Sequence, residues 1–188
     1  MRIESLSVGY GKENILDGLT LDFGKTGTVL ISAPSGYGKT TLFKAISGIL
    51  PIRNGKIEDY DSVSYAFQEP RLLLWLSALE NVSIVDISGA IDNSKKLLLQ
   101  LGLEGEDLDK KASDLSGGMK QRVNIARAFN YNADVVLLDE PFASLDKDNA
   151  DKVVELINSY RNDKLILIIS HEMVDSLNPD RVVYLNEV

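Results

Sequence analysis

The fold of this chain is decided by two stretches: Leu-Ser-Gly-Gly-Met-Lys-Gln-Arg at 115–122 and Val-Val-Leu-Leu-Asp-Glu-Pro at 135–141. The second begins with an apolar run of strand length, which is typical of a strand buried on both faces of a parallel sheet. It ends in the carboxylates of Asp139 and Glu140, and ligands bind beyond the carboxyl ends of such strands. The first has the form of a helix start, with Ser116 as N-cap and glycines that let a phosphate approach the backbone.

A phosphate-binding loop is predicted at 33–41, where Ala-Pro-Ser-Gly-Tyr-Gly-Lys-Thr-Thr lies between a predicted strand and a predicted helix. Backbone N–H groups of such a loop bind anions, Lys39 reaches the terminal phosphates, and the Thr40 hydroxyl can ligate Mg²⁺. Ala33 stands where the usual pattern has glycine, so a positive φ there would cost about 1 kcal/mol or more. The alternative is an ordinary glycine-rich turn. The predicted nucleotide-binding residues of the loop are Ser35, Gly36, Tyr37, Gly38, Lys39, Thr40 and Thr41.

Apolar periodicity predicts the order of strands and helices. Alternating residues over 2–8 and 15–23 indicate antiparallel strands near one edge, and residues from about 70 onward change to helical, broken character. The alternation of strands and helices in the second half implies a parallel sheet. The predicted ranges are strands at 27–32, 55–67, 135–139, 165–170 and 181–185, and helices at 40–49, 118–130, 148–160 and after 170 as far as Leu177.

The order of these motifs resembles that of ATPase subunits of the ATP-binding cassette (ABC) family over nearly the whole chain, about 1–186. The resemblance implies an α/β P-loop NTPase fold with a mixed sheet, an antiparallel β edge and an inserted helical subdomain. It implies a single domain over 1–188, with the subdomain at about 70–130. The family marks are the Walker A loop at 33–41, the Q-loop Gln68, the signature at 115–122, the Walker B strand ending at Asp139 and Glu140, the D-loop at 144–146 and the switch His171.

The resemblance also implies chemical roles for these residues. Asp139 would hold Mg²⁺ mainly through water, together with Thr40 and Gln68. Glu140 would polarise the attacking water, with Gln68 and His171 at the same centre. Tyr10 would stack on adenine. The alternatives are a solvated acidic pair at a strand end, a lone histidine in ordinary packing, and a tyrosine that merely covers a sheet edge.

The signature residues Ser116, Gly117 and Gly118 form a second predicted phosphate site. By resemblance they complete the ATP site of another subunit, so two chains would clamp two ATP molecules in a head-to-tail homodimer. Met119 stands where glutamine is usual, which is tolerable if the contacts come from Ser116 and backbone amides. The alternative for the basic residues Lys120 and Arg122 is a solvated helix face.

Composition narrows the class of protein. The chain has 188 residues with 28 acidic against 20 basic side chains, which argues against broad binding of nucleic acid. It has no cysteine, so disulfides and thiolate metal sites are excluded and a reducing cytosol is permitted. No apolar stretch approaches the ~18 residues of a membrane span, and the first residues lack a secretory signal.

We therefore expect a Mg²⁺-dependent ATPase that binds ATP and drives transport through separate membrane-spanning permease subunits, from a cytoplasmic, peripheral position at the inner face of the cell membrane. An importer is favoured over an exporter because the segment 68–82 resembles ATPases of bacterial nitrate, sulfonate and taurine importers. The alternatives are a soluble ABC ATPase, such as an iron–sulfur assembly or translation factor, and a regulator that binds nucleotide without hydrolysing it.

A docking surface is predicted beside Gln68. Leu-Leu-Leu-Trp-Leu at 72–76 has more large apolar residues than one face of a helical turn can bury, so part of it should be exposed. Exposed clusters of this kind mark interaction sites. The alternative is that these residues close the core of the helical subdomain.

Overall fold

The computed structural model describes residues 1–86, 91–171 and 174–187. Its strands, in chain order, are β1 (Arg2–Tyr10), β2 (Glu13–Asp22), β3 (Gly27–Ser32), β4 (Asn54–Glu58), β5 (Val63–Ala66), β6 (Val135–Asp139), β7 (Leu165–Ile169) and β8 (Arg181–Tyr184). Its α-helices are α1 (Lys39–Ile46), α2 (Ala78–Ser83), α3 (Ile91–Gln100), α4 (Gly117–Asn130) and α5 (Lys147–Tyr160). Short 3-10 helices lie at Gly105–Leu108, Ala112–Asp114 and Leu185–Glu187. The helix predicted after residue 170 falls partly on residues 172 and 173, which lie outside the described residues.

Within the described part of the chain the strands form two sheets. Five parallel strands have the order β5-β6-β7-β3-β8, and three antiparallel strands have the order β2-β1-β4. The predicted antiparallel edge is therefore a sheet of its own, and the larger sheet is wholly parallel rather than mixed. In the described residues β1 pairs on one side with β2 and on the other with β4, and neither β2 nor β4 pairs with a strand of the parallel sheet.

The parallel sheet separates two apolar cores. Every residue of β6 and β7 is buried, and successive side chains point to opposite faces. Leu137 and Leu167 pack with α1 and the antiparallel sheet, whereas Val136 and Ile166 pack with the helices that follow β5. The helical segment shares this second core, because Leu97 and Leu101 belong to the same cluster as the sheet residues.

Capping residues set the start of each long helix. Ser116 accepts a hydrogen bond from the backbone of Met119 at the start of α4, and Asp146 accepts one from Asn149 at the start of α5.

Among the described residues, no helix combines the length and apolar character needed to cross a membrane. The carboxyl ends of β3, β5, β6 and β7 meet at one edge of the sheet, where the predicted motifs converge.

Candidate nucleotide-binding site

A cavity of about 300 Å³ opens at this edge. It gathers the phosphate loop, the Q-loop residue, the two Walker B carboxylates, the histidine and the aromatic residue of β1, although these are far apart in sequence. The predicted residues that line it are Tyr10, Ser35, Gly36, Gly38, Lys39, Thr40, Thr41, Gln68, Asp139, Glu140 and His171. Ile15 and Ile169 also line it and were not predicted, since ordinary apolar strand residues carry no sequence signal. Tyr37 and the signature residues Ser116, Gly117 and Gly118 are not part of this lining.

The phosphate loop owes its shape to two glycines. Gly36 and Gly38 have φ values of 86° and 89°, in the left-handed region that glycine adopts without a steric cost. A Cβ at Gly38 would also lie 2.9 Å from side-chain atoms of Ile15 and Leu16, so the loop packs against β2 only with glycine there. Ala33 is not among the residues with positive φ, so alanine at the first position of the loop is unstrained.

Lys39 bends back over the loop that it follows. Its buried ammonium group donates hydrogen bonds to the carbonyl oxygens of Ala33 at 2.6 Å and Pro34 at 3.3 Å. A lysine ammonium has three donors, so one is left for an anion in the cavity. The loop therefore presents a positive charge beside backbone N–H groups at a helix N-terminus, which suits phosphate binding.

Asp139, at the end of β6, supplies one of the two buried carboxylates of the site. Its Oδ2 accepts hydrogen bonds from the Thr40 hydroxyl at 3.2 Å and from the Tyr65 hydroxyl at 2.9 Å. Burial raises the pKa of this carboxyl, and the two hydrogen bonds act in the opposite direction. Tyr65 was not predicted as part of the site.

The donor set suits Mg²⁺. Asp139, Thr40 and Gln68 offer only oxygen ligands, which this cation prefers, and all three line the cavity. In the described residues, no cluster of three or more histidine or carboxylate groups forms a dedicated metal site. Mg²⁺ binding here would therefore depend on phosphate and water oxygens in addition to the protein, as is usual for this cation with nucleotides.

Glu140 is held in an uncommon backbone conformation. Its φ is 51°, which costs a residue with a Cβ roughly 1–2 kcal/mol. Its N–H donates to the carbonyl of Ile169 at 2.8 Å, and its own carbonyl accepts from the Gln121 amide at 3.2 Å. These bonds fix the backbone from both sides, and strain of this kind is concentrated at functional sites.

His171 meets the Glu140 side chain directly. The backbone N–H of His171 donates to Oε2 of Glu140 at 3.0 Å, and its ring Nε2 lies 3.6 Å from Oε1. The ring is largely exposed, whereas the carboxylate is buried. The structure therefore brings the histidine and the carboxylate to the same wall of the cavity.

Tyr10 and Gln68 lie on other sides of the cavity. Tyr10 ends β1, is 48% exposed, and its hydroxyl accepts a hydrogen bond from Lys44 at 3.2 Å. Gln68 follows β5, and the preceding carbonyl of Phe67 is held by the side-chain amide of Asn124 at 2.8 Å. Asn124 and Gln121 both belong to α4. This helix therefore holds the backbone next to Gln68, through Phe67, and the backbone of Glu140 itself.

The signature loop lies at the start of α4 and contacts the predicted D-loop. A Cβ at Gly118 would lie 3.1 Å from the backbone oxygen of Ser144, so glycine allows this close approach. Arg122 does not form the solvated face considered above, because it is only 8% exposed. Its guanidinium donates to the carbonyls of Leu101 and Gly102, which directly follow α3.

The apolar segment at 72–76 is divided between core and surface. Leu72 is buried, whereas Leu74 and Trp75 are 52% and 69% exposed. The buried Asn81 holds the segment in this shape, since its side chain pairs with both the N–H and the carbonyl of Leu73 and also donates to the carbonyl of Leu76.

Comparison with known sequences defines the class of protein. A model of the ABC transporter family matches residues 16–143. The aliphatic sulfonates import ATP-binding protein SsuB 2 of Mesorhizobium japonicum is 34% identical over 193 residues, covering 100% of this chain and 77% of that protein. SsuB 1 of Pseudomonas fluorescens is 35% identical over 180 residues, covering 94% and 69% respectively. The chain therefore belongs to the ABC transporter family, and its predicted class, an ATPase with ATP and Mg²⁺ as ligands, is confirmed.

Solved structures agree on the fold. The dimeric ABC transporter cassette MJ0796 has a TM-score of 0.85 at 24% identity, covering 97% of this chain and 93% of that one. An ABC transporter ATP-binding protein from Pyrococcus furiosus has a TM-score of 0.84 at 25% identity, with coverage of 99% and 97%. The predicted fold of an ABC ATPase is thereby confirmed.

Proposed function

We propose that this chain is the ATP-hydrolysing subunit of an importer, and that the cavity described above is its catalytic site. The observation that carries the proposal is the convergence of Lys39, Asp139, Glu140, Gln68 and His171 around one cavity. Lys39 supplies a counter-charge for the phosphates, and Asp139 and Gln68 supply oxygen ligands for a cation. Glu140 supplies a base, with the polar side chains of Gln68 and His171 beside it. These are the parts that phosphoryl transfer to water requires.

In the proposed reaction, water attacks the γ-phosphorus of ATP while the bond to the bridging oxygen of ADP breaks. Glu140 orients this water and accepts its proton, and its fixed backbone keeps the carboxylate in position. His171 and Gln68 hydrogen-bond the γ-phosphate and the water, while Lys39 holds the terminal phosphates and Tyr10 stacks on adenine. Asp139, Thr40 and Gln68 would hold Mg²⁺, which supplies charge neutralisation on the phosphates.

The proposal extends to assembly. Ser116, Gly117 and Gly118 of one chain would contact the ATP bound to a second chain, so that two chains form a head-to-tail dimer with ATP between them. This is supported by their position outside the cavity lining of their own chain and by the exposure of Ser116 at a helix N-terminus. We further propose one domain over 1–188 with a helical subdomain at about 70–130, supported by the core that the helices share with the sheet.

The importer assignment rests on the relatives, whose names describe import of aliphatic sulfonates. We propose that the chain works with permease subunits at the cytoplasmic face of the membrane and takes no part in nucleic-acid binding. Purification of the tagged chain from solubilised membranes of its own organism should recover permease subunits. Recovery with iron–sulfur assembly proteins in the soluble fraction would instead favour the soluble alternative.

The catalytic proposal is tested by two substitutions. Lys39→Ala should abolish ATP binding or weaken it below the level needed for turnover, because a phosphate counter-charge is lost. Glu140→Gln should bind ATP normally and nearly stop phosphate release, because it keeps the shape of the side chain without the base. Glu155→Gln, an exposed residue of α5, is the control. Wild-type turnover in Glu140→Gln would remove Glu140 from its role.

A further inference from the structure

Tyr65 has a polar contact that the catalytic proposal does not use. Its hydroxyl donates to Oδ2 of Asp139 at 2.9 Å, and the Thr40 hydroxyl donates to the same oxygen at 3.2 Å. The three residues come from three different elements, β5, β6 and α1. Two donors on one oxygen restrict rotation of the carboxylate, and they leave Oδ1 as the oxygen offered to a cation or its water.

The strand register explains how the tyrosine reaches this carboxylate. Tyr65 pairs with Leu137 in the parallel ladder, and Asp139 lies two residues further along β6, on the same face of the sheet. The side chain therefore extends along the strand direction to the residue at the strand end.

The tyrosine ring is itself fixed on two sides. It stacks on Phe67 with ring centroids 4.0 Å apart and meets Phe43 edge to face at 5.7 Å. Aromatic contacts of this geometry stabilise one ring position.

We propose that Tyr65 is a positioning residue for the metal-binding carboxylate, and that its hydroxyl sets the affinity of the site for Mg²⁺. This rests on the proposed role of Asp139 as the metal carboxylate. Partners that orient a ligand group in this way commonly change metal affinity by about 10-fold or more when they are removed. The Tyr65 ring also stacks on Phe67, and Gln68 is the next residue in the chain.

Tyr65→Phe tests the proposal, because it removes one oxygen and keeps the ring stack. Binding of Mn²⁺ to the ADP complex, followed by electron paramagnetic resonance, should weaken about tenfold. ADP affinity measured in EDTA should not change. Tyr60→Phe is the matched control, since it removes another partly buried hydroxyl, which donates to the carbonyl of Ile46 at 3.0 Å. That variant should lose stability without losing Mn²⁺ affinity.

Asp139→Asn separates this proposal from the catalytic one. If Asp139→Asn keeps wild-type Mn²⁺ affinity, Asp139 does not bind the metal. The proposed role of Tyr65, which depends on it, is then also wrong. If Asp139→Asn loses Mn²⁺ affinity and folded Tyr65→Phe keeps it, the positioning proposal alone is overturned. A loss in Tyr65→Phe that Tyr60→Phe matches at equal thermal stability would also overturn it, because the effect would then be structural.

Discussion

The side-chain amide of Gln121 donates a hydrogen bond of 3.2 Å to the backbone carbonyl of Glu140. Gln121 is buried on α4, the helix that the signature loop begins, so this bond joins the signature helix to the proposed base. Because Glu140 has a φ of 51°, its conformation depends on such support from neighbouring groups.

Gln121→Met should therefore lower the rate of ATP hydrolysis about tenfold while ATP affinity stays nearly constant. Methionine fills a similar volume without the donor, and a tenfold loss corresponds to ~1.4 kcal/mol of barrier. Steady-state phosphate release and equilibrium nucleotide binding measure the two effects.

A control on the same helix keeps this prediction specific. Asn130→Ala removes a buried amide that donates to the carbonyl of Val82 and to the Ser94 hydroxyl, at the opposite end of α4. It should lower the melting temperature without changing the rate per folded molecule. An unchanged rate in folded Gln121→Met would show that the bond does not serve catalysis.

Ser116→Asp should prevent ATP-dependent dimerisation. Aspartate caps a helix about as well as serine, so α4 should keep its start, but a carboxylate at the proposed phosphate contact repels ATP. The test uses the Glu140→Gln background, in which slow hydrolysis should preserve the dimer, and light scattering with and without MgATP.

Ser116→Asn is the matched variant, since it caps the helix without adding charge. It should keep the dimer, and both variants should bind ATP as monomers. An ATP-dependent dimer of normal affinity in Ser116→Asp would place the partner contact elsewhere.

Trp75→Ser should abolish association with the permease while leaving the fold and the intrinsic ATPase activity intact. The tryptophan is 69% exposed, so its removal opens no cavity in the core. Co-purification of the tagged chain with its permease measures the interaction, and circular dichroism reports the fold. Tyr131→Ser, at the carboxyl end of α4, is the control because this side chain is another exposed aromatic. Retention of the permease by Trp75→Ser would move the docking surface away from this segment.

Asp134→Asn should destabilise the chain in a pH-dependent way. Hydrogen bonds from the backbone of Asp61 and Ser62, and from the Ser62 hydroxyl, lower the pKa of Asp134 below 3.8. A lowered pKa in the folded state stabilises the fold above about pH 3.8, and this contribution is lost as the pH falls through the folded value. The difference from the wild type should be less than about 1 kcal/mol at pH 7, because the group is exposed and screened, and should vanish once the pH lies below the folded pKa.

Urea unfolding at a series of pH values measures this difference. Asp163→Asn, which removes a carboxylate at the same amino-terminal end of the sheet, controls for the change in net charge. If the difference in unfolding free energy between the wild type and Asp134→Asn grew as the pH falls, the predicted direction of the pH dependence would be wrong.

The local parts of the site were predictable from sequence. The strand at 135–139, the glycines of the phosphate loop and the cap at Ser116 are set by apolar runs, backbone freedom and short-range hydrogen bonds. Each of these depends on residues within a few positions of one another, so periodicity and residue type suffice to find them.

The contacts between elements were not predictable in this way. Tyr65 and Asp139 are 74 residues apart, and their bond follows from the pairing of β5 with β6, which no local pattern encodes. The same limit applies to β4, whose short sequence does not show that it pairs with β1 rather than with the parallel sheet. Arg122 was expected as a possible surface residue, because charge alone does not show that the guanidinium binds two carbonyls in the loop after α3.

The separation of the two sheets gives the nucleotide a mechanical role. Tyr10 belongs to the antiparallel sheet, whereas Lys39 follows β3 and Asp139 ends β6 in the parallel sheet. No backbone ladder joins the two sheets in the described residues. A molecule that stacks on Tyr10 and binds Lys39 would therefore bridge two sheets that share an apolar core and side-chain hydrogen bonds but no backbone ladder. We expect it to act as a non-covalent crosslink that forms when ATP binds and is lost when the products leave, so that each round of hydrolysis strengthens and then weakens the contact between the two sheets.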